Sequence, residues 1–172
     1  MKKTFIGISV IALISALILS SCDNNEYTPI QAGSRSCNIE IECIDINGHN
    51  LLNDKALTDK IKIDGENSHS DIRFTISSGR LCFEADLPDQ NDMKWSNENN
   101  EASGISNITV RLGKQKAHLK CYISYIANLP PASIGGVVTL EHVEYNSQIY
   151  KRNGNKVSIT LHFNRNGKLE KH

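Results

Sequence analysis

The stretch "CNIEIECIDI", residues 37–46, alternates strictly: Cys37, Ile39, Ile41 and Cys43 are interleaved with Asn38, Glu40 and Glu42. A period of two puts successive side chains on opposite faces, so this segment can bury one face only as a β-strand. The pattern recurs along the chain. Ile72, Phe74 and Ile76 alternate, then Leu81, Phe83 and Ala85; later come Ile108, Val110 and Leu112, then Leu119, Cys121, Ile123 and Tyr125, and finally Val157, Ile159, Leu161 and Phe163. "DKIKID" adds a short strand ending near Asp64-Gly65, "GGVVTLEHVEY" a longer one, and Gln148 to Lys151 another short one. Ser78-Gly79, Gly113-Lys114 and Asn153-Gly154 supply hairpin turns, and Asn166-Gly167 can open a last short strand. No segment sustains a helical period. Eight or nine short strands with regular turns predict an all-β fold over residues 37–172. The expected form is an antiparallel β-sandwich of immunoglobulin-like type, with a closed barrel as the alternative.

The first residues follow a different logic. Lys2 and Lys3 precede an apolar run from Phe5 to Leu19, and small residues close it, which is the layout of a secretory signal peptide. A run of that length rises roughly 22 Å as a helix, short of the ~30 Å hydrocarbon core of a bilayer, and no Lys/Arg cluster follows it. Its end, Leu19-Ser20-Ser21-Cys22, resembles the lipobox of bacterial lipoproteins. The resemblance implies a signal peptide over residues 1–21, cleavage before Cys22 and lipidation of that cysteine. One acyl chain binds a bilayer marginally, whereas two or more hold it, at about 0.8 kcal/mol per buried methylene. Residues 23–36, "DNNEYTPIQAGSRS", are polar and aperiodic, so residues 22–36 read as a lipidated tether with a reach of roughly 20 Å.

Loss of Lys2 and Lys3 turns 19 basic against 19 acidic residues into 17 against 19. Charges of mixed sign leave no electrostatic footprint for nucleic acid. The chain that remains suits one domain with one core.

A strand running into "DINGHNLLNDKALTDKIKI", with its Gly-x-Asn-Leu-Leu turn at Gly48 to Leu52, is similar to small envelope lipoproteins of Bacteroidota. That resemblance implies an outer-membrane address in the bacterial cell envelope, facing the periplasm or the surface. In that group acidic residues after the lipidated cysteine favour the outer leaflet. Asp23 and Glu26 match, but Asn24 and Asn25 interrupt them, which leaves both leaflets open. No activity comes with the resemblance.

Chemistry-bearing residues are few. Four cysteines follow Cys22. Cys37 and Cys43 on one strand are about 20 Å apart, beyond the reach of a disulfide. Cys82 falls on the outward phase, so Cys43–Cys121 is the one pairing to entertain, against buried thiols that act as small hydrophobes. His118, His142 and His162 lie in strands, but nothing in the sequence joins them to a shared carboxylate. Asp45, Asn47, Asn50 and Asp54 bear oxygens without calcium-loop spacing, and turns use the same residue types. No Gly-x-Ser-x-Gly elbow, phosphate loop or His-Glu-x-x-His occurs. No catalytic, cofactor-binding or metal-binding residue is therefore nominated, and catalysis is not expected.

The longest irregular stretch, residues 87–104, carries the single tryptophan, Trp95, beside Met93. Both are candidates for ligand or partner contact, with folding back as a lid on the sandwich as the alternative. The expected role is binding or assembly at a membrane, with an envelope protein or glycan as partner. A carbohydrate- or solute-binding accessory lipoprotein would show several exposed aromatics on one face, for which Tyr122, Tyr125, Tyr145 and Tyr150 are the candidates. A hydrolase would need a pocket of clustered carboxylates and histidines.

Overall fold

The computed structural model describes residues 32–68, 71–96, 98, 100–127 and 135–170. Cys22 and the signal segment lie outside them. Among the described residues, eleven strands form two sheets around one core. The smaller sheet is ordered β11 (Lys156–Phe163), β2 (Asn38–Asp45), β5 (Arg80–Glu84), β4 (Phe74–Ser77). The larger has β9 (Gly136–Tyr145), β8 (Gln115–Ile126) and β7 (Glu101–Leu112) at its centre. On its outer edges β1 (Ala32–Ser36) and β10 (Gln148–Lys151) both pair with β9, while β3 (Ile61–Gly65) and β6 (Met93–Trp95) both pair with β7. One helical turn, α1 (Lys55–Thr58), and two short 3-10 turns complete the fold. Among the described residues no helix is long and apolar enough to cross a membrane.

The alternation seen in the sequence is the core. Ile39, Ile41 and Cys43 of β2, Leu81 and Phe83 of β5, and Val157, Ile159, Leu161 and Phe163 of β11 point inward. They meet Ile108, Val110, Leu112, Leu119, Ile123, Val138, Leu140 and Val143 of the opposite sheet. This is the two-layer solution open to half-apolar sheets.

Two features differ from the antiparallel expectation. β1 pairs parallel with β9, and β11 pairs parallel with β2. Both pairings join strands far apart in sequence, and parallel partners need no tight turn, so no local signal marks them. The Asn153-Gly154 turn does form, with Asn153 opposite Lys156. It opens no hairpin, because the chain there leaves the larger sheet and enters the smaller one beside β2. The second difference lies in residues 32–36. Their composition assigns them to the tether, yet they are strand β1, and at Cys37 the same extended path passes into β2 in the other sheet. A polar strand on a sheet edge has no alternation to betray it.

Two hairpins turn with positive φ at both central residues, as the right-handed twist of the strands prefers. One is Ser78-Gly79, at φ 51° and 72°, and the other is Asn146-Ser147, at 48° and 64°. Serine is strained in that region, where an L side chain crowds its own carbonyl. Ser147→Gly is therefore expected to stabilise the fold by about 0.5–1 kcal/mol, net of the freedom glycine adds to the unfolded chain. The check is an upward shift of the urea midpoint with an unchanged slope.

Candidate binding groove

On β9 the inward residues are Val138, Leu140, Val143 and Tyr145. The step of three between Leu140 and Val143 marks a β-bulge. Tyr122 pairs with His142, and its neighbour Ile123 pairs with Leu140, leaving Glu141 as the extra residue. A bulge re-aims side chains. Here it turns both Glu141 and His142 toward the solvent face of the larger sheet, next to Tyr122 and Ser124 of β8. The His142 and Tyr122 rings stack with centroids 4.1 Å apart and an interplanar angle of 16°. The Ser124 hydroxyl donates to Glu141. The Tyr122 hydroxyl donates to Glu144 Oε2 at 3.1 Å, and Lys120 Nζ donates to Glu144 Oε1 at 3.3 Å.

Tyr122, Ser124, Glu141 and His142 form one wall of a groove of about 630 Å³, with Lys120 and Glu144 beside it. The other wall comes from Lys94 on β6, from Ser103, Ile105 and Asn107 on β7, and from Asn67 and Asp92. Asn67 holds that wall together. Its Nδ2 donates to Asp92 Oδ2 and to the Ile105 carbonyl, both at 2.9 Å, and its Oδ1 accepts from the Asn107 amide at 2.8 Å. Ile105 gives that wall an apolar patch, 37 % exposed. The groove thus presents a ring stack, one aliphatic side chain, carboxylates and a lysine. This mixture suits a ligand with both apolar surface and hydrogen-bonding groups.

The Lys120 ammonium and the Tyr122 hydroxyl hold the Glu144 carboxyl below its ordinary value, and Glu144 in turn pushes the Tyr122 phenol up. Hydrogen bonds to the ionised form favour it. Tyr122→Phe removes one of them, so the Glu144 midpoint is expected to rise toward that of a free glutamate. A carboxyl-carbon NMR titration of both proteins reads this directly. An unmoved midpoint would show that the phenol does not hold Glu144.

Of the residues singled out in the sequence, Tyr122 and His142 line the groove, and Met93 and Trp95 fall elsewhere. Met93 is buried in the core at 6 % exposure, so it presents no contact surface. Trp95 is half-buried with its ring edge-on to Tyr125, centroids 5.9 Å apart at 71°. Both belong to β6, because the stretch read as irregular contains a strand that pairs with the beginning of β7. Tyr125 and Tyr145 are core residues, and Tyr150 packs against the core, which leaves Tyr122 alone of the four on the open face. The aromatic convergence expected of a sugar-binding face is thus one tyrosine and one histidine.

His118, His142 and His162 are not brought together. His162 is on the smaller sheet, and the β8–β9 pairing sets His142 beside Tyr122, four residues along β8 from His118. Among the described residues no group of three His, Cys, Asp or Glu is placed to hold a metal. Asp45 accepts the backbone amides of Asn47 and His49, both at 2.8 Å, while Asn50 and Asp54 cap the short helical turns that follow. These oxygens are turn-formers. Cys37, Cys43 and Cys121 are free and buried, and Cys82 is free and half-buried. Burial pushes the Cys43 thiol up to about 12; burial, and then the nearby Cys37, raise that of Cys121.

A second polar cluster links Thr109, Glu66 and His118. The Thr109 hydroxyl donates to Glu66 and lies 2.9 Å from His118 Nδ1, which is itself 3.2 Å from Glu66. Thr109 is 4 % exposed beneath the other two, so its oxygen is closed to an incoming substrate. The cluster reads as a cross-strand ladder.

The groove residues carry one sequence signal, the slip between Leu140 and Val143, and only the register of β8 against β9 reads it as a bulge. The contributions of Asn67, Asp92 and Lys94 have none, because long-range packing alone brings them there. Comparison with family models, curated proteins and solved structures found no match to this chain.

Proposed function

We propose that this protein is a lipid-anchored protein of the bacterial cell envelope that works by binding, through the groove on the outer face of its larger sheet. The lipobox-like Leu19 to Cys22 supports the anchor, and the resemblance to small Bacteroidota lipoproteins supports an outer-membrane address. In this reading the sandwich serves as immunoglobulin-like modules do, as a rigid scaffold with its working surface on one side. The observation that carries the binding role is the bulge at Glu141. A regular β9 would turn one of Glu141 and His142 into the core, and the irregularity is what places both beside Tyr122. A protein partner of the envelope fits the open groove better than a glycan does, since a lone tyrosine stacked on His142 offers a sugar little aromatic surface.

Two measurements test this proposal. Wild-type protein is expected to incorporate labelled palmitate and to fractionate with membranes, and Cys22→Ala to do neither; equal labelling would remove the anchor. A photo-crosslinking residue at Ser103, on the groove wall, is expected to give discrete adducts in intact cells. The same residue at Ser158, on the outer face of the smaller sheet, should give none. Adducts from Ser158 alone, or from neither site, would overturn the groove as the binding surface.

A further inference from the structure

The pairing register fixes which residues share an end of the sandwich. Parallel pairing sets Ala32, the first residue of β1, opposite Gly136. Val137 is then opposite Ile126, Ile126 opposite Glu101, and Ala102 opposite Trp95. Ala32, Ile126, Glu101 and Trp95 therefore mark one end of the larger sheet. Leu112, Gln115 and Ile61 mark the other. Two hydrogen bonds tie the C-terminal segment to that second end, from the Leu169 amide to Gln115 Oε1 at 3.3 Å and from Asn146 Nδ2 to the Glu170 carbonyl at 3.3 Å.

Resting on the lipid anchor proposed above, we infer that the Ile126–Trp95 end faces the bilayer surface and that the turns at Gly113-Lys114 and Asn146-Ser147 point away from it. Chain length decides the matter. Ten peptide steps separate Cys22 from Ala32, and in any conformation they span at most ~35 Å. The eleven steps of β8 stretch about 36 Å. An inverted body would hold Ala32 that far from the membrane, so the connecting chain would have to be drawn to its limit. The upright body accepts any shorter path. Exposed aliphatic side chains are not confined to that end, since Ile149, 62 % exposed, lies opposite Glu144, so chain length carries the direction. Ile126 is 52 % exposed at the anchored end, on the face of the sheet opposite to the half-buried Trp95 ring, and an exposed aliphatic group there can settle among lipid headgroups. Ile46, 47 % exposed at the far end, adjoins the hydrogen-bonded polar turn of Asp45, Asn47 and His49. The upright placement also serves the groove. Tyr122 lies four residues along β8 from Ile126, about 13 Å farther from the lipid, and opens sideways.

The test uses the lipidated full-length protein in phosphatidylethanolamine–phosphatidylcholine vesicles that contain a nitroxide-headgroup lipid. With Cys82→Ser to remove the half-buried thiol, an environment-sensitive dye is attached through Ile126→Cys or Lys114→Cys. Quenching is expected to be several-fold stronger at position 126 than at 114. Trp95, the single tryptophan, supplies a second reading with no substitution, and its emission should be quenched by the same lipid. Equal quenching at the two positions, or stronger quenching at 114, in protein that floats with the vesicles overturns the orientation and leaves the anchor standing. Protein that does not float overturns the anchor, and the orientation with it.

Discussion

Leu161→Ala is expected to cost about 2–5 kcal/mol of stability. Leu161 is fully buried on β11, opposite Cys43 in the parallel pairing with β2. The loss has two parts, the transfer free energy of the missing methyl and methylene groups and the cavity left behind. Neighbours can relax into that cavity only partly, since Val157, Ile159 and Phe163 on the same strand are themselves locked in the core. Domains of this size hold only about 5–15 kcal/mol in total, so one truncation removes a large share. β11 is also an edge strand of its sheet, with β2 as its one partner there, so its core side chains hold it in place as much as its ladder does. Urea denaturation of the mature chain without lipid should show a lowered midpoint. Leu161→Met, which keeps the volume, should cost less than about 1.5 kcal/mol. Equal losses for the two variants would mean that packing at this site is not what holds β11.

Gly136→Ala comes second, at about 1–3 kcal/mol from overpacking. A methyl group at residue 136 would lie 2.2 Å from Tyr125 Cε2, 2.6 Å from Tyr125 Cζ and 2.7 Å from the Ile126 carbonyl oxygen. The tyrosine ring could swing away, but the carbonyl belongs to the β8 backbone and cannot move without disturbing the ladder. Tyr125 is 8 % exposed and carries the edge-on contact to Trp95, so displacing it has an optical consequence. The variant should melt several degrees lower and shift the emission of Trp95. A lower melting temperature with unchanged tryptophan emission would show that the strain is relieved on the β1 side, away from Tyr125.

Both predictions concern places where sequence and structure speak with different force. That Leu161 is a core residue was legible from "KVSITLHF", whose alternation admits only one buried face. That its strand runs parallel to β2 was not, because no turn joins the two and pairing at such distance in the chain leaves no local trace. The same holds for Ser36 and its neighbours: their polar composition fits a leash, and only the exposed edge of β9 makes them a strand. Met93 and Trp95 show the converse case. A polar stretch with one tryptophan looks like a contact loop until β7 proves long enough to pair with both β3 and β6, which draws Met93 into the core.

The groove divides along similar lines. The slip between Leu140 and Val143 lies within "VVTLEHVEY", but an unbroken phase through Val137, Val143 and Tyr145 reads equally well, so the bulge and the stack on Tyr122 both needed the register of β8 against β9. Local order along the chain sets the all-β class, most of the inward faces and the turns at Ser78-Gly79 and Gly113-Lys114, because these depend on neighbours two to four residues apart. Asn153-Gly154, by contrast, opens no hairpin, and Asn146-Ser147 makes one without a glycine to mark it. Packing sets the sheet order, the two parallel pairings, the strand at Ala32–Ser36 and the residues that meet in the groove. Those depend on which strand edges find one another, and hydrogen-bonding edges are alike from strand to strand, so only the global packing of the two inner faces selects among them.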